Sequence, residues 1–160
     1  MKYDERLEKA ESFDEVYRLV KQLVMEKFGL RRAGMGLVLA DLPSQLMAYH
    51  EVGSNAIVVN KTLLNAVSAI SKSKKTVNSY IFVILLHEYL HTLGFDERQT
   101  RELVKEAVLS VFPFEHPVVR LATTSVYEVF PELKNIQLPS GSSKPVIVKD
   151  FDTDGINYIG

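Results

Sequence analysis

The 160-residue sequence contains no cysteine. This absence excludes disulfide bonds, cysteine-based zinc sites and catalysis by a thiol. A metal ion in this protein would therefore be held by histidine, aspartate, glutamate or water. The chain is long enough to bury a hydrophobic core without covalent cross-links, and 46% of its residues are hydrophobic, so we expect a single folded domain.

The chain also lacks an excess of charge of either sign. Its 19 basic and 20 acidic residues give a formal net charge of -1, so we expect no nucleic-acid partner. The longest apolar run, residues 80–86, is far too short to span a bilayer, and we expect no membrane association. The charged start MKYDERLEKAE does not fit a signal peptide, and together with the absence of cysteine it favours a cytoplasmic location.

Local patterns predict an α+β domain with a small β-sheet, one buried helix and packed flanking helices. Ser12 and Glu15 form a capping box for an amphipathic helix over residues 13–28. Three short β-type runs, at 36–42, 46–52 and 55–60, are separated by turn residues, which favours a meander. Further helices are predicted over 61–70, 77–93, 97–111 and 117–129, and a solvated loop over 71–76.

Residues 77–93 are apolar on nearly every side, which is typical of a central, buried helix. This helix contains HEYLH, in which His87 and His91 are four residues apart and therefore share one face. Glu88 lies about 100° further round, where it can hold a water beside a metal without being a ligand. The pattern supplies two neutral nitrogens for zinc and a carboxylate that accepts a proton, so it predicts a Zn2+ site with Glu88 as the catalytic base.

A catalytic zinc usually has three protein ligands, so the sequence must supply one more. In the helix predicted from Glu97, this residue lies about 50° from the middle of the apolar stripe, whereas Glu102 faces solvent. Gly94 permits a left-handed turn that brings the following residues back under the metal. We predict Glu97 as the third ligand. Asp96, which is also a good N-cap, and then Glu102 are the alternatives, and His116 ranks last.

The motif resembles that of the zincin metallopeptidases, with His87 and His91 as zinc ligands and Glu88 as general base. The spacing to Gly94 and Glu97 is similar to the metzincin extension. However, that extension has His or Asp where this chain has Glu, and no methionine follows Met47 to form the metzincin turn below the metal.

The arrangement looks most like the small single-domain gluzincins called minigluzincins, which have a short sheet before the zinc helix and an acid soon after it. The resemblance covers residues 87–97 as a motif and about 13–111 as an order of elements. It implies zinc-dependent hydrolysis of a bond in a peptide or protein substrate.

The same resemblance implies a strand that pairs with an extended substrate and a side chain that stabilises the oxyanion. The run NAIVVN, residues 55–60, is either this substrate-binding strand or a plain core strand. Tyr127 and Tyr49 are the alternatives for the oxyanion. His50, in AYHEV, either faces the cleft or is an ordinary exposed strand residue.

We divide the chain into a zincin-like domain, residues 1–134, and a tail or appended strand, residues 135–160. LPSGSSKP (138–145) is typical of a linker, and 146–152 fits an edge strand or an extended tail. Asp150, Asp152 and Asp154 do not continue into an EF-hand loop. One hypothesis is that a tail aspartate docks in cis or in trans and caps the zinc, which would hold the enzyme latent. Two non-enzymatic alternatives are an inactive zinc-binding interaction module and a structural domain with chance histidines.

Overall fold

The computed structural model describes residues 2–135 and 144–152 of the chain. The α+β prediction is confirmed, because the described residues form one domain in which helices pack around a small mixed sheet. No helix within these ranges is long and apolar enough to cross a membrane. In chain order the elements are α1 (Tyr3–Lys9), α2 (Phe13–Phe28), β1 (Gly36–Ala40), β2 (Ala48–His50), β3 (Ala56–Asn60), α3 (Lys61–Ile70), α4 (Lys74–Thr92), α5 (Glu97–Val111), α6 (Pro117–Thr123), α7 (Val126–Val129), a 3-10 helix (Pro131–Asn135) and β4 (Val146–Ile147).

Capping residues set most helix boundaries where the sequence predicts them. At α2, the Ser12 hydroxyl accepts a hydrogen bond from the Glu15 N–H, 3.1 Å away. At α4, the Ser73 hydroxyl accepts from Thr76 in the same way, so the helix begins three residues earlier than predicted. The loop predicted over 71–76 is therefore only half correct.

The single helix predicted over residues 117–129 is wrong. α6 ends at Thr123, and Ser125 starts α7 as a new N-cap by accepting the Glu128 N–H, 3.3 Å away. Serine competes with the helical backbone for hydrogen bonds, which explains the break between two short helices.

The sheet has the strand order β2-β3-β1-β4. β1 and β3 are parallel neighbours, whereas β2 and β4 are antiparallel to the strands beside them. The predicted meander is therefore wrong, because β2 lies outside β3 rather than between β1 and β3. The run NAIVVN forms β3, which is a central strand, so of the two alternatives for this run the plain core strand is correct. The edge of the sheet on this side is β2.

The buried side chain of Asn60 explains this topology. Its amide nitrogen donates to the carbonyls of Leu42, Pro43 and Leu46, at 3.3, 3.2 and 2.9 Å. Its amide oxygen accepts the Leu63 N–H at the start of α3. These bonds hold residues 42–46 in a wide loop instead of a tight hairpin turn, and the wide loop carries the chain past β3 before β2 begins.

α4 is the central helix of the domain and contacts α1, α2, α5, α6, β2 and β3. Its buried positions lie all around its axis, so the prediction of a central helix is confirmed. Tyr89 packs edge-on against Tyr17 of α2, with ring centroids 5.5 Å apart. One side of α4, from Tyr80 to Thr92, lines an open cleft, and the HEYLH segment forms the end of this side.

β4 pairs antiparallel with β1 and forms the second edge of the sheet, with Val38 opposite Ile147. The edge-strand prediction is therefore confirmed for Val146–Ile147. Most of the predicted linker, residues 138–143, lies outside the described residues. The division of the chain at residue 134 stays a prediction.

Candidate metal centre

The last two turns of α4 bring both histidines of HEYLH to one point. The Nε2 atoms of His87 and His91 lie 3.2 Å apart, as expected for residues four apart on one helix face. Both side chains are partly exposed to the cleft. Glu88 follows on the neighbouring face and is only 6% exposed. Ligand atoms of His87, Glu88 and His91 all lie within 4.8 Å of one another, which is close enough to bind a metal ion.

Glu97 reaches the same point from the first turn of α5. Its Oε1 lies 2.8 Å from Nε2 of His87 and 2.9 Å from Nε2 of His91. Gly94 makes this approach possible, because its φ of 101° turns the chain sharply after α4. The Glu97 side chain points towards the end of α4, as the helix phase predicts, but it is 51% exposed rather than buried. Its role as a metal ligand stays a prediction.

The other acids and histidine considered from the sequence have different surroundings. The Asp96 carboxylate accepts the Gln99 N–H in a full capping box, so its N-cap role is confirmed. Glu102 is exposed on α5. His116 is buried, and its Nδ1 accepts the Val118 N–H at the start of α6. Of the four residues considered as the third ligand, Glu97 is therefore the one that lies against the histidine pair.

The hydrogen bond behind His91 fixes which of its nitrogens faces the site. Its Nδ1 lies 2.9 Å from the carbonyl oxygen of Phe95, which can only accept, so this nitrogen carries the proton. In the neutral imidazole this leaves Nε2 unprotonated and facing His87 and Glu97, which is the tautomer that binds a metal. Without a metal, the Glu97 carboxylate favours a proton on this nitrogen as well.

Burial and neighbouring charges shift the pKa values of the two acids in opposite directions. Burial raises the pKa of Glu88 to about 7, with His91 opposing this shift and Glu97 adding to it. Burial would also raise the pKa of Glu97, but the contacts with both histidines outweigh it and hold the pKa at about 2. In the metal-free protein, Glu88 is therefore protonated more readily than an ordinary carboxyl, while Glu97 stays ionised.

The pKa values of the two histidines also differ. Burial lowers the pKa of His87, which favours the neutral imidazole. Burial opposes protonation of His91 as well, but the Phe95 carbonyl and the Glu97 carboxylate outweigh it and raise the pKa of His91.

The donor set fits a zinc ion. Two imidazole nitrogens and a carboxylate oxygen are common zinc ligands, and ligands of a tetrahedral zinc lie about 3.3 Å from one another. The three observed separations run from 2.8 to 3.2 Å, so the side chains of His87, His91 and Glu97 would need to move apart by only a few tenths of an ångström. Three electron-rich atoms that converge in this way need a cation or a shared proton among them.

No protein-family model matches this chain, and no curated protein or solved structure matches it significantly. The geometry of the described residues indicates a metal site, because His87, Glu88 and His91, on a buried helix, are close enough together to bind a metal ion. Membership of the zincins stays a prediction.

The centre lies in an open cleft of about 1280 Å³. One wall consists of β2 and its flanking loops, and the other consists of α6, the start of α7 and the exposed side of α5. Tyr49 and Tyr127 both line this cleft, so the choice between them for oxyanion stabilisation stays open. His50 lines it too, with its Nε2 2.8 Å from the carbonyl oxygen of Ser54.

Two arginines that line the cleft, Arg32 and Arg101, are not predicted from the sequence to belong to the site. Arg32 donates to the carbonyl of Thr92, 2.7 Å away at the end of α4, and to the side chain of Asn55. Nothing in the turn RRAGMG signals this role, because both partners are distant in sequence. Arg101 donates from Nε to Oε2 of Glu97 at 2.8 Å, and its spacing of four residues from an acid on a predicted helix is a readable signal.

Proposed function

We propose that this protein is a zinc-dependent peptidase, with His87, His91 and Glu97 as zinc ligands and Glu88 as general base. The observation that carries the proposal is the position of Glu97 Oε1, within 2.9 Å of both imidazole nitrogens at the wall of an open cleft. Three protein ligands on one side leave room for water and substrate on the other, which distinguishes catalytic zinc sites from closed structural ones.

Zinc bound to these three residues would supply Lewis acidity, which polarises a carbonyl group and makes a nearby water more acidic. Glu88 accepts a proton from the attacking water and delivers it to the nitrogen of the leaving amine. The carbon–nitrogen bond breaks and a carbon–oxygen bond forms, so one water is consumed for each peptide bond. Burial raises the pKa of the Glu88 carboxyl in the metal-free protein, which is the direction that favours a group able to hold and return a proton.

The edge of β2 supports an extended peptide as substrate. The Asn60 N–H donates to the carbonyl of Met47, which marks a hydrogen-bonded pair between β3 and the start of β2. Hydrogen-bonded and non-hydrogen-bonded pairs alternate along antiparallel strands, so Tyr49 belongs to the next hydrogen-bonded pair. The backbone groups of Ala48 and His50 then face the free edge, where a substrate strand can pair with them.

The proposal is tested by elemental analysis and by peptide hydrolysis in wild type, His87→Ala and Glu88→Gln. We expect about one zinc per chain in wild type and in Glu88→Gln, and loss of zinc in His87→Ala. Wild type should cleave a mixed peptide library, whereas Glu88→Gln should keep its zinc and lose hydrolysis.

Two outcomes contradict parts of this proposal. A wild-type protein without stoichiometric zinc removes the metal centre altogether. A wild-type protein that binds zinc but cleaves no peptide, and that melts at lower temperature after chelation, supports an inactive zinc-binding module instead.

A further inference from the structure

The two oxygens of the Glu97 carboxylate have different partners. Oε1 faces both histidines, whereas Oε2 accepts a hydrogen bond from Nε of Arg101, 2.8 Å away and one turn further along α5. We propose that Arg101 is a positioning residue of the metal centre, which holds Glu97 so that one chosen oxygen points at the histidine pair. This inference rests on the proposed zinc site.

The position of Glu97 explains why its side chain needs such a partner. It is the first residue of α5, and its side chain is 51% exposed. A glutamate side chain has three rotatable bonds, and an exposed one samples many rotamers. Among the residues that the structure describes, its hydrogen-bond partners are the two histidines and Arg101. Arg101 is the partner that lies outside the metal-binding group itself.

The charge of Arg101 acts in the opposite direction. A guanidinium beside the centre repels a divalent cation and draws electron density away from the carboxylate. If Arg101 were merely a nearby positive charge, its removal would strengthen zinc binding. If it positions Glu97, its removal weakens zinc binding, because the carboxylate must then be ordered when the metal binds. The sign of the change in zinc affinity therefore separates the two roles.

Arg98 provides a matched control on the same helix. It is exposed, carries the same charge and directly follows Glu97 in sequence. Within the described part of the chain, no hydrogen bond or ion pair is present at its side chain. Arg98→Gln and Arg101→Gln therefore remove the same charge from the same helix, but only Arg101→Gln releases the Glu97 carboxylate.

The test is the dissociation constant of zinc, measured by competition with a chromogenic chelator on the full chain. We expect Arg101→Gln to weaken zinc binding about tenfold or more, as the loss of an outer-sphere partner typically does. Arg98→Gln should leave the constant within about twofold of wild type. In a Glu97→Ala background, Arg101→Gln should no longer weaken zinc binding, because the positioning role of Arg101 acts through Glu97 and only the repulsion of its charge is left to remove.

Zinc binding by Arg101→Gln that is equal to or tighter than that of Arg98→Gln overturns the inference. So does a melting temperature of zinc-free Arg101→Gln far below that of zinc-free Arg98→Gln, which would assign Arg101 a purely structural role. Neither result touches the proposed function, which is tested separately by the zinc content and the peptide hydrolysis of the wild-type chain.

Discussion

The ring of Phe151 stacks on the ring of Tyr17, with centroids 4.4 Å apart and planes inclined by 30°. Next to it, the buried Asp152 carboxylate pairs with Lys21 of α2 and accepts the Met35 N–H, 2.8 Å away. The described end of the tail therefore packs on α2 and the segment before β1. Asp152 is engaged there and not at the metal centre, so it is not the capping aspartate of the latency hypothesis. Asp154 lies outside the described residues.

Replacing Phe151 by alanine tests this docking. Phe151 is 8% exposed, so Phe151→Ala should lower the free energy of unfolding by about 3 kcal/mol, as for other buried phenylalanines. Ile147→Ala is the control, because this tail residue is 75% exposed and should change stability by less than about 0.5 kcal/mol. Urea denaturation measures both, and equal stability of the two variants would show that the tail is not anchored at Tyr17.

Glu97 and Glu102 form a matched pair for the third ligand, since both are glutamates on α5 and only Glu97 contacts the histidines. Glu97→Ala should weaken zinc binding by more than about 100-fold, because loss of an outer-sphere partner alone already costs up to that much. Glu102→Ala should bind zinc like wild type. Isothermal titration or chelator competition measures the difference. If the two variants bind zinc equally, the third ligand is not Glu97.

Arg32 joins the end of α4 to the loop between β2 and β3 through Thr92 and Asn55. Arg32→Ala should lower the free energy of unfolding by about 2 kcal/mol, since hydrogen bonds from a charged donor are lost. Arg32→Lys keeps the charge, but an ammonium group lacks the planar guanidinium that reaches both the Thr92 carbonyl oxygen and Oδ1 of Asn55. Arg32→Lys should therefore retain less than half of the free energy of unfolding that Arg32→Ala loses. Denaturant unfolding checks both values, and a fully stable Arg32→Lys would show that the fork is not required.

Local interactions explain which features are predictable from the sequence. The caps at Ser12 and Asp96 bond to residues three positions away, so the starts of α2 and α5 are predicted correctly. The inward phase of Glu97 also follows from helical periodicity over a few residues. HEYLH is likewise a pattern within one helix, and the buried helix that carries it is confirmed.

Long-range contacts explain what is not predictable. The parallel pairing of β1 with β3 occurs together with hydrogen bonds from Asn60 to carbonyls at least 14 residues earlier in the chain. Arg32 meets Thr92 across 60 residues, and Asp152 meets Met35 across 117. No local pattern encodes such partners, and the turn residues between the three β-type runs lead to the wrong placement of β2 between β1 and β3.

His116 provides a pH-dependent prediction away from the metal centre. It is 4% exposed, and its Nδ1 accepts the Val118 N–H, so the neutral ring carries its proton on Nε2. Among the described residues this Nε2 has no hydrogen-bond partner. Burial lowers the pKa of His116, and the charge of Lys75 lowers it further, while Asp4 and Glu8 oppose the shift.

The sign of the effect follows from proton linkage. Because the pKa of His116 is lower in the folded protein than the usual value of about 6.5, the unfolded chain binds more protons as pH falls through that value. The free energy of unfolding should therefore decrease as pH is lowered from about 7.5 towards 5.5, by at most about 1.4 kcal/mol per pH unit from this group.

His116→Asn keeps an oxygen that can cap α6 but does not titrate. The stability of wild type relative to His116→Asn should thus decline with falling pH, because titration of His87 and His91 is common to both proteins and cancels in the difference. Urea denaturation at several pH values measures this difference. A relative stability of wild type that stays constant would mean that His116 is protonated as easily in the folded protein as in the unfolded chain, and one that rises at low pH would mean that it is protonated more easily in the folded protein.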